Sequence, residues 1–323
     1  MATTTTADDA KATDVYLLVD VSAALTSRKF AKDLDAVVAR AKESGVQKLV
    51  VRSTSVHSSR EALRLCRLFP ETLFCCAGVS PHESRLWTPD SEREICDVMR
   101  SAECVAFGEC GLDFSRDFSP KETQIQVFEK QLQMASHLSR TERIQKPLLV
   151  REVDAFAEWS VHSLPVHSLH LSLLPSAALL RQYAADLPQI VVQFRGTEEH
   201  ARQYLDVGAF LALSGLVFKD KSEDGVRQLL RSKGVPLSRL LLHSDSPYGY
   251  PNARAVHLSD ATKSQLSARS LSFLNRYCTF QRNEPCSLAL TCEWVAAHLG
   301  VAPPEVALQT TYNALRVFGL CAH

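Results

Sequence analysis

An eight-stranded parallel α/β barrel, (β/α)8, in a single domain is the fold class the sequence predicts, and three observations predict it. Short runs rich in Val, Leu, Phe and Ala alternate with longer stretches, as repeated βαβ units require. Several of the longer stretches, such as KETQIQVFEKQLQMASHLSR and EEHARQYLDVG, repeat apolar residues at three-and-four spacing, the mark of a helix with one buried face. Eight strand-like runs fit within a chain of 323 residues, which suits one closed barrel better than two domains. A doubly wound open sheet is the alternative arrangement of the same units.

The runs follow in order. Residues 1–13, within MATTTTADDAKATD, are rich in Thr and Ala and contain acids. They have neither a secretory apolar core nor the Arg-rich character of a transit peptide, and read as a disordered tail. VYLLVD (15–20) is the first strand, followed by the helical FAKDLDAVVARAKESG. KLVVRST (48–54) is the second, followed by EALRLCRLF. LFCCAGVS (73–80), CVAFGECG (104–111), PLLVR (147–151), QIVVQF (189–194), AFLALSG (209–215) and LLLHSD (240–245) complete the eight. Two segments read as insertions outside the barrel proper, residues 158–188 after the fifth strand and 252–282 after the eighth. The final run, 287–320, reads as two helices, with Pro303 and Pro304 placed where prolines open a helix.

Composition removes several classes of function. Lys plus Arg and Asp plus Glu both number 36, so the formal charge is zero, and a polybasic nucleic-acid scaffold is not expected. No apolar stretch approaches the roughly 18 to 20 residues of a membrane span. The ten cysteines include no C-x-x-C pair, and several sit in apolar runs such as LFCCAGV, where a reduced thiol packs as a small hydrophobe. This predicts a reducing, cytoplasmic setting, with the nucleus or an organelle also compatible.

In a barrel of this type chemistry collects at the C-terminal ends of the strands. Those ends present Asp20 with Ser22, Ser80 with His82, Glu109, Arg151, Phe194 with Arg195, Ser214, and His243 with Asp245. Carboxylates on opposite sides of a barrel mouth suit a divalent cation, provided further ligands join them.

The segments GVSPHE (78–83), FGECGLDF (107–114), FEKQLQMA (128–135) with KPLLVREVDA (146–155), FRGTEEHARQYLDVGAFLALSG (194–215), VPLSRLLLHSDSPYGYP (235–251), RNEP (282–285) and TTYNALRVFGL (310–320) resemble the TatD-type deoxyribonucleases of the metallo-hydrolase superfamily. The likeness spans most of residues 14–320 in order. It implies a TIM barrel whose mouth binds two divalent metals and hydrolyses phosphodiester bonds, usually of DNA from the 3′ end.

The same resemblance, followed residue by residue, implies a depleted metal site. The family's opening Asp-x-His-x-His corresponds to Asp20, Val21, Ser22, Ala23 and Ala24, without either histidine. The first histidine of the GxHPH-like motif is Ser80, and the second survives as His82. The carboxylate of GExGLD is present as Glu109. The histidines of the fifth and sixth strands are Arg151 and Val192, and the acid of TDSP is Asp245, preceded by His243 and Ser244. Serine, alanine and valine do not replace imidazole as ligands of Zn²⁺ or Mn²⁺, and two-metal hydrolysis needs both ions held about 4 Å apart.

The expected site therefore has Glu109, Asp245 and His82 as catalytic candidates, the two carboxylates holding at most one weakly bound Mg²⁺, Mn²⁺ or Zn²⁺. Arg151 is expected to lie between Glu109 and Asp245 in place of a metal. With Arg52 and Arg195 it is also expected to cradle a phosphate-containing ligand, DNA among them. His162, His167 and His170 form a His-rich patch without Cys or acidic partners, which points to solvation or local packing. The function that follows is a TatD-like barrel with a degenerate metal site, serving in binding or as a scaffold. The alternative is an active deoxyribonuclease with one metal on Glu109 and Asp245.

Overall fold

A computed structural model describes residues 15–153, 155, 175–255 and 258–321. The N-terminal stretch 1–13 and His162, His167 and His170 lie outside the described residues.

Eight strands lie side by side in sequence order: β1 (Leu18–Ala23), β2 (Val46–Val51), β3 (Leu73–Ala77), β4 (Cys104–Asp113), β5 (Leu148–Val153), β6 (Gln189–Val192), β7 (Phe210–Leu213) and β8 (Leu240–Leu242). Every neighbouring pair from β1 with β2 to β7 with β8 is parallel. The ring closes beyond the last strand. The Ala24 N–H donates to the Ser246 carbonyl at 2.7 Å, and the Ser244 N–H donates to Asp20 Oδ1 at 2.9 Å. The predicted barrel is the observed one.

Seven helices alternate with the strands: α1 (Leu34–Glu43), α2 (Val56–Leu68), α3 (Ser91–Met99), α4 (Lys121–Thr141), α5 (Pro175–Tyr183), α6 (Glu198–Asp206) and α7 (Val226–Arg231). After β8 come α8 (Asp260–Lys263), α9 (Ala268–Tyr277), α10 (Leu288–Leu299) and α11 (Pro303–Val317). Local chemistry fixes several starts. The Ser55 side chain accepts the Ser58 N–H at the head of α2, Thr197 accepts the His200 N–H at the head of α6, and Pro303 opens α11 with the φ a first turn needs. Gly300, at φ 70°, ends α10 in the left-handed conformation that glycine adopts without strain.

Apolar side chains fill two layers, as the alternation of strand residues demands. Val19, Val21, Val50, Leu149, Ile190, Val192 and Leu241 pack inside the ring, and Ala314 and Phe318 from the C-terminal helix region join them. The outer faces of the strands meet the helices in a larger cluster. Nine cysteines are buried and Cys321 is exposed; none forms a disulfide.

Strand limits differ from the sequence reading in ways that matter at the mouth. β1 starts at Leu18, because Val15 and Leu17 point outward, and it runs on to Ala23, which puts Ser22 inside the strand. β4 continues to Asp113, two residues past the predicted end. Of the two segments read as insertions, 175–183 is the crossover helix α5, with Leu179 and Leu180 buried, and 158–174 lies outside the described residues. Within 252–282, α9 buries Phe273 and Leu274 and is tied to the end of α1 by Arg269, whose guanidinium donates to the Glu43 carbonyl at 2.7 Å.

Candidate functional site

Arg52, one residue past β2, stands at the centre of the mouth. Its N–H is fixed by the Ala23 carbonyl at 2.8 Å, which directs the side chain into the ring. Nη1 lies 2.6 Å from Asp245 Oδ1 and 3.5 Å from Glu109 Oε2. All three side chains are buried, at 5% exposure or less. Burial works against the charged guanidinium, but the Asp245 and Glu109 carboxylates outweigh it and raise its pKa above the usual value, so Arg52 stays a cation.

Each carboxylate is placed by its backbone. The Glu109 N–H donates to the Ser53 carbonyl at 3.0 Å, joining β4 to the loop after β2. Asp245 has φ 51°, a left-handed conformation uncommon outside glycine, and its carbonyl accepts the N–H groups of Tyr248 and Gly249 at 2.7 and 3.0 Å. That tight turn brings the Asp245 carboxylate towards β2.

Asp20 and His243 flank this trio and are fully buried. Asp20 Oδ1 accepts the Ser22 and Ser244 N–H groups, so the side chain laces the seam between β1 and β8. Burial pushes its pKa up to about 6. His243 Nε2 accepts the Gln193 N–H at 3.2 Å, which makes Nδ1 the protonated nitrogen of a neutral ring. Burial pushes its pKa down to about 4, so it is uncharged at neutral pH.

Arg151 does not lie between Glu109 and Asp245. It belongs to a second, more open cluster. Its Nε donates to Asp113 Oδ2 at 3.0 Å and its Nη1 to Gln193 Oε1 at 2.8 Å. His82 Nε2 meets the same Asp113 oxygen at 2.8 Å, and Ser115 Oγ donates to Asp113 Oδ1 at 2.5 Å. Desolvation opposes the Asp113 charge, but His82, Ser115 and Arg151 together hold its carboxyl well below the usual range. The extra length of β4 delivers Asp113 next to the end of β5, where Arg151 finds an acid before it reaches Glu109.

The expected phosphate cradle of three arginines is also not assembled. Arg52 is neutralised and buried, Arg151 is bound to Asp113, and Arg195 is exposed beside a separate cleft of about 430 Å³ that Glu152, Lys219 and Lys221 also line. Burial pushes the Glu152 carboxyl up to about 8, and the Tyr204 hydroxyl donates to it. His82 pairs with Asp113 rather than with the Glu109 and Asp245 pair.

Of the positions at which the resemblance expects histidine, Ser22 is fully buried, Ala24 donates its N–H across the β1 and β8 seam, Ser80 donates its N–H to the Thr54 carbonyl, and Val192 packs inside the barrel. None offers an imidazole. Among the described residues no three His, Cys, Asp or Glu side chains converge as a metal-holding group. Asp113 is the site residue that sequence reasoning passed over, although it stands in FGECGLDF two residues beyond Gly111.

A ring of eight parallel strands with polar groups gathered at their C-terminal ends defines a (β/α)8 barrel. The chain belongs to the TatD related DNase family, whose sequence profile matches residues 19–319. It is 32% identical over 302 residues to the 3′-5′ ssDNA/RNA exonuclease TatD of Salmonella typhimurium, covering 93% of this chain and 98% of that protein. The protein of the same name from Citrobacter koseri is 31% identical over 307 residues, covering 94% and 99%. Among solved structures, a TatD family hydrolase from Entamoeba histolytica superposes with a TM-score of 0.74 at 20% identity, covering 94% of this chain and 99% of that one. A TatD homologue from Escherichia coli does so with 0.73 at 19%, covering 95% and 99%. At these identities the structures bear on the fold.

Proposed function

We propose that this member of the TatD family binds a phosphate-containing ligand, nucleic acid foremost, at its barrel mouth, and that its metal-dependent phosphodiesterase activity is weak or lost. One observation carries the loss of metal chemistry: the Arg52 guanidinium, 2.6 Å from Asp245 and 3.5 Å from Glu109, supplies the positive charge these buried carboxylates need. A divalent cation on the same two oxygens would have to displace it. Ser22, Ala24, Ser80, Arg151 and Val192, at the positions resembling the family's histidine ligands, add no neutral nitrogen donor.

The relatives named as exonucleases of ssDNA and RNA make nucleic acid the first ligand class to test. Among the described residues no helix is long and apolar enough to cross a membrane. Nine buried cysteines outside any disulfide suit the reducing cytoplasm that this reading assigns.

The test is calorimetric titration of chelator-stripped protein with Mn²⁺, Zn²⁺ and Mg²⁺ beside a Glu109→Ala control, followed by assay on 3′-labelled single-stranded DNA with and without chelator. The expected result is no saturable heat and no chelator-sensitive cleavage. Saturable binding lost in the control, together with chelator-sensitive release of 3′ nucleotides, would replace this reading with a one-metal deoxyribonuclease.

A further inference from the structure

The rim of the mouth exposes aromatic rings that packing does not require. Tyr248, three residues past Asp245, is 56% exposed, and Phe280 is 64% exposed with its ring 4.5 Å from that of Tyr250. Three separate segments hold these rings in place. The Asn283 N–H donates to the Pro247 carbonyl and its side-chain amide to the Ser244 carbonyl, both at 3.0 Å. Arg282 Nε donates to the Lys29 carbonyl at 3.1 Å, the Lys29 ammonium donates to the Gln281 carbonyl, and the same ammonium lies 5.5 Å from the Tyr248 ring centre. The loop after β1, the loop after β8 and residues 279–283 thus form one braced rim.

A smaller counterpart lies opposite. Phe118, 48% exposed, follows β4 and packs edge-on to His82 at 5.0 Å, with the Arg116 guanidinium 6.0 Å from its ring centre. In a ring of eight strands in sequence order, β4 and β8 are four places apart, so the two aromatic groups face each other across the mouth.

Burying an aromatic side chain is favourable, so an exposed ring braced at a functional mouth forgoes that gain unless a ligand covers it. The occupant must present a flat apolar face beside negative charge, since the Tyr248 and Phe118 rings each have a cation close to them. An unpaired nucleobase with its phosphate has that form, whereas bases in a duplex already have both faces stacked.

We propose that Tyr248 and Phe280 form a stacking platform for unpaired nucleobases, with Lys29 meeting the adjoining backbone phosphate and Phe118 with Arg116 receiving the strand on the far side. The proposal rests on the nucleic-acid reading above and narrows it to single strands held by their bases.

The experiment is fluorescence anisotropy on the full chain with a labelled oligothymidylate, and with an abasic strand of the same length and charge. Tyr248→Leu and Phe280→Leu keep apolar bulk but remove the aromatic face, and Tyr248→Trp restores a face. Melting temperatures verify that each variant folds. Each leucine variant is expected to weaken oligothymidylate binding about 5- to 100-fold, Tyr248→Trp to retain it, and the abasic strand to bind native and variant chains equally weakly. Native-like binding by both leucine variants, or equal affinity of the native chain for the abasic strand, overturns the platform while leaving nucleic acid as the ligand. Absence of any oligonucleotide binding by the native chain overturns both.

Discussion

Arg52 is buried with two acids, and the consequences of removing it differ from those of losing a surface arginine. A guanidinium taken from a buried group strands the remaining charges at a cost of about 3–5 kcal/mol. Arg52→Met should therefore lower unfolding free energy by about that amount in denaturant titration. It should also create a need for another cation, so millimolar Mn²⁺ should raise the melting temperature of the variant and leave the native protein unchanged. An equal metal effect on both would mean that Arg52 and metal do not compete. Glu152 gives a second test, set by pH. Burial raises its folded pKa from 4.5 to about 8, so between those values the unfolded chain releases a proton that the folded chain keeps. Stability contributed by this group is complete below pH 4.5 and falls as pH rises towards 8. Glu152→Gln, which still accepts from Tyr204, should be close to native at pH 4.5 and gain over it steadily up to pH 8; a pH-independent difference in melting temperature would contradict the assignment. At this scale the sequence was partly legible. Glu109 and Asp245 stand at recognisable motif positions, but which arginine reaches them depends on distances across the ring, and Arg52 and Arg151 both occupy strand ends. Only the fold shows that Asp113 captures Arg151.

Elements were legible in number and order, because alternation of apolar runs and amphipathic stretches reports burial directly. Their ends were not, since ends depend on what caps the barrel. β8 shows the reason: LLLHSD reads as one strand, yet the ladder stops at Leu242 and Asp245 turns with φ 51°. Within 175–188 the helix was hard to read for a similar reason: α5 is short and its apolar residues Ala177, Leu179 and Leu180 meet the barrel without a long amphipathic repeat. α11 does more than fill the outer layer. Its Asn313 amide donates to the Leu237 and Leu240 carbonyls at 3.0 and 2.9 Å, while Thr311 Oγ1 donates to the Leu17 carbonyl, so one helix ties the start of β8 to the start of β1 at the seam. Asn313→Ala leaves two carbonyls without that donor and should cost about 1–3 kcal/mol in denaturant titration. Thr311→Val, at an exposed position, should cost less; the reverse order would place the seam's support elsewhere.

For the molecule as a whole, the ring makes solvent access all or none, and the cysteines report on it. Nine of the ten thiols are buried in the barrel interior, under the helices or between α9 and α10, and only Cys321 is exposed. Burial also raises thiol pKa values, that of Cys76 to about 12, so the reactive thiolate is scarce even where a reagent penetrates. A thiol reagent such as Ellman's should therefore react rapidly with one equivalent in the native chain and with none in Cys321→Ser. The other nine should appear in one transition, at the denaturant concentration where helical circular dichroism is lost, because β2 to β7 each have a ladder on both sides and β1 and β8 are joined at the seam through Ala24, Ser246, Asp20 and Ser244. The Cys278 and Cys286 pair is the sensitive point. Their sulfurs are 3.8 Å apart on either side of the turn that carries Phe280 and Asn283. If these two thiols react together before the other seven, the rim opens as a unit separate from the barrel, and the braced platform would have to be rebuilt as a folding-on-binding surface. If all nine emerge together, the rim is as rigid as the strands beneath it, and base stacking on it proceeds without an ordering cost.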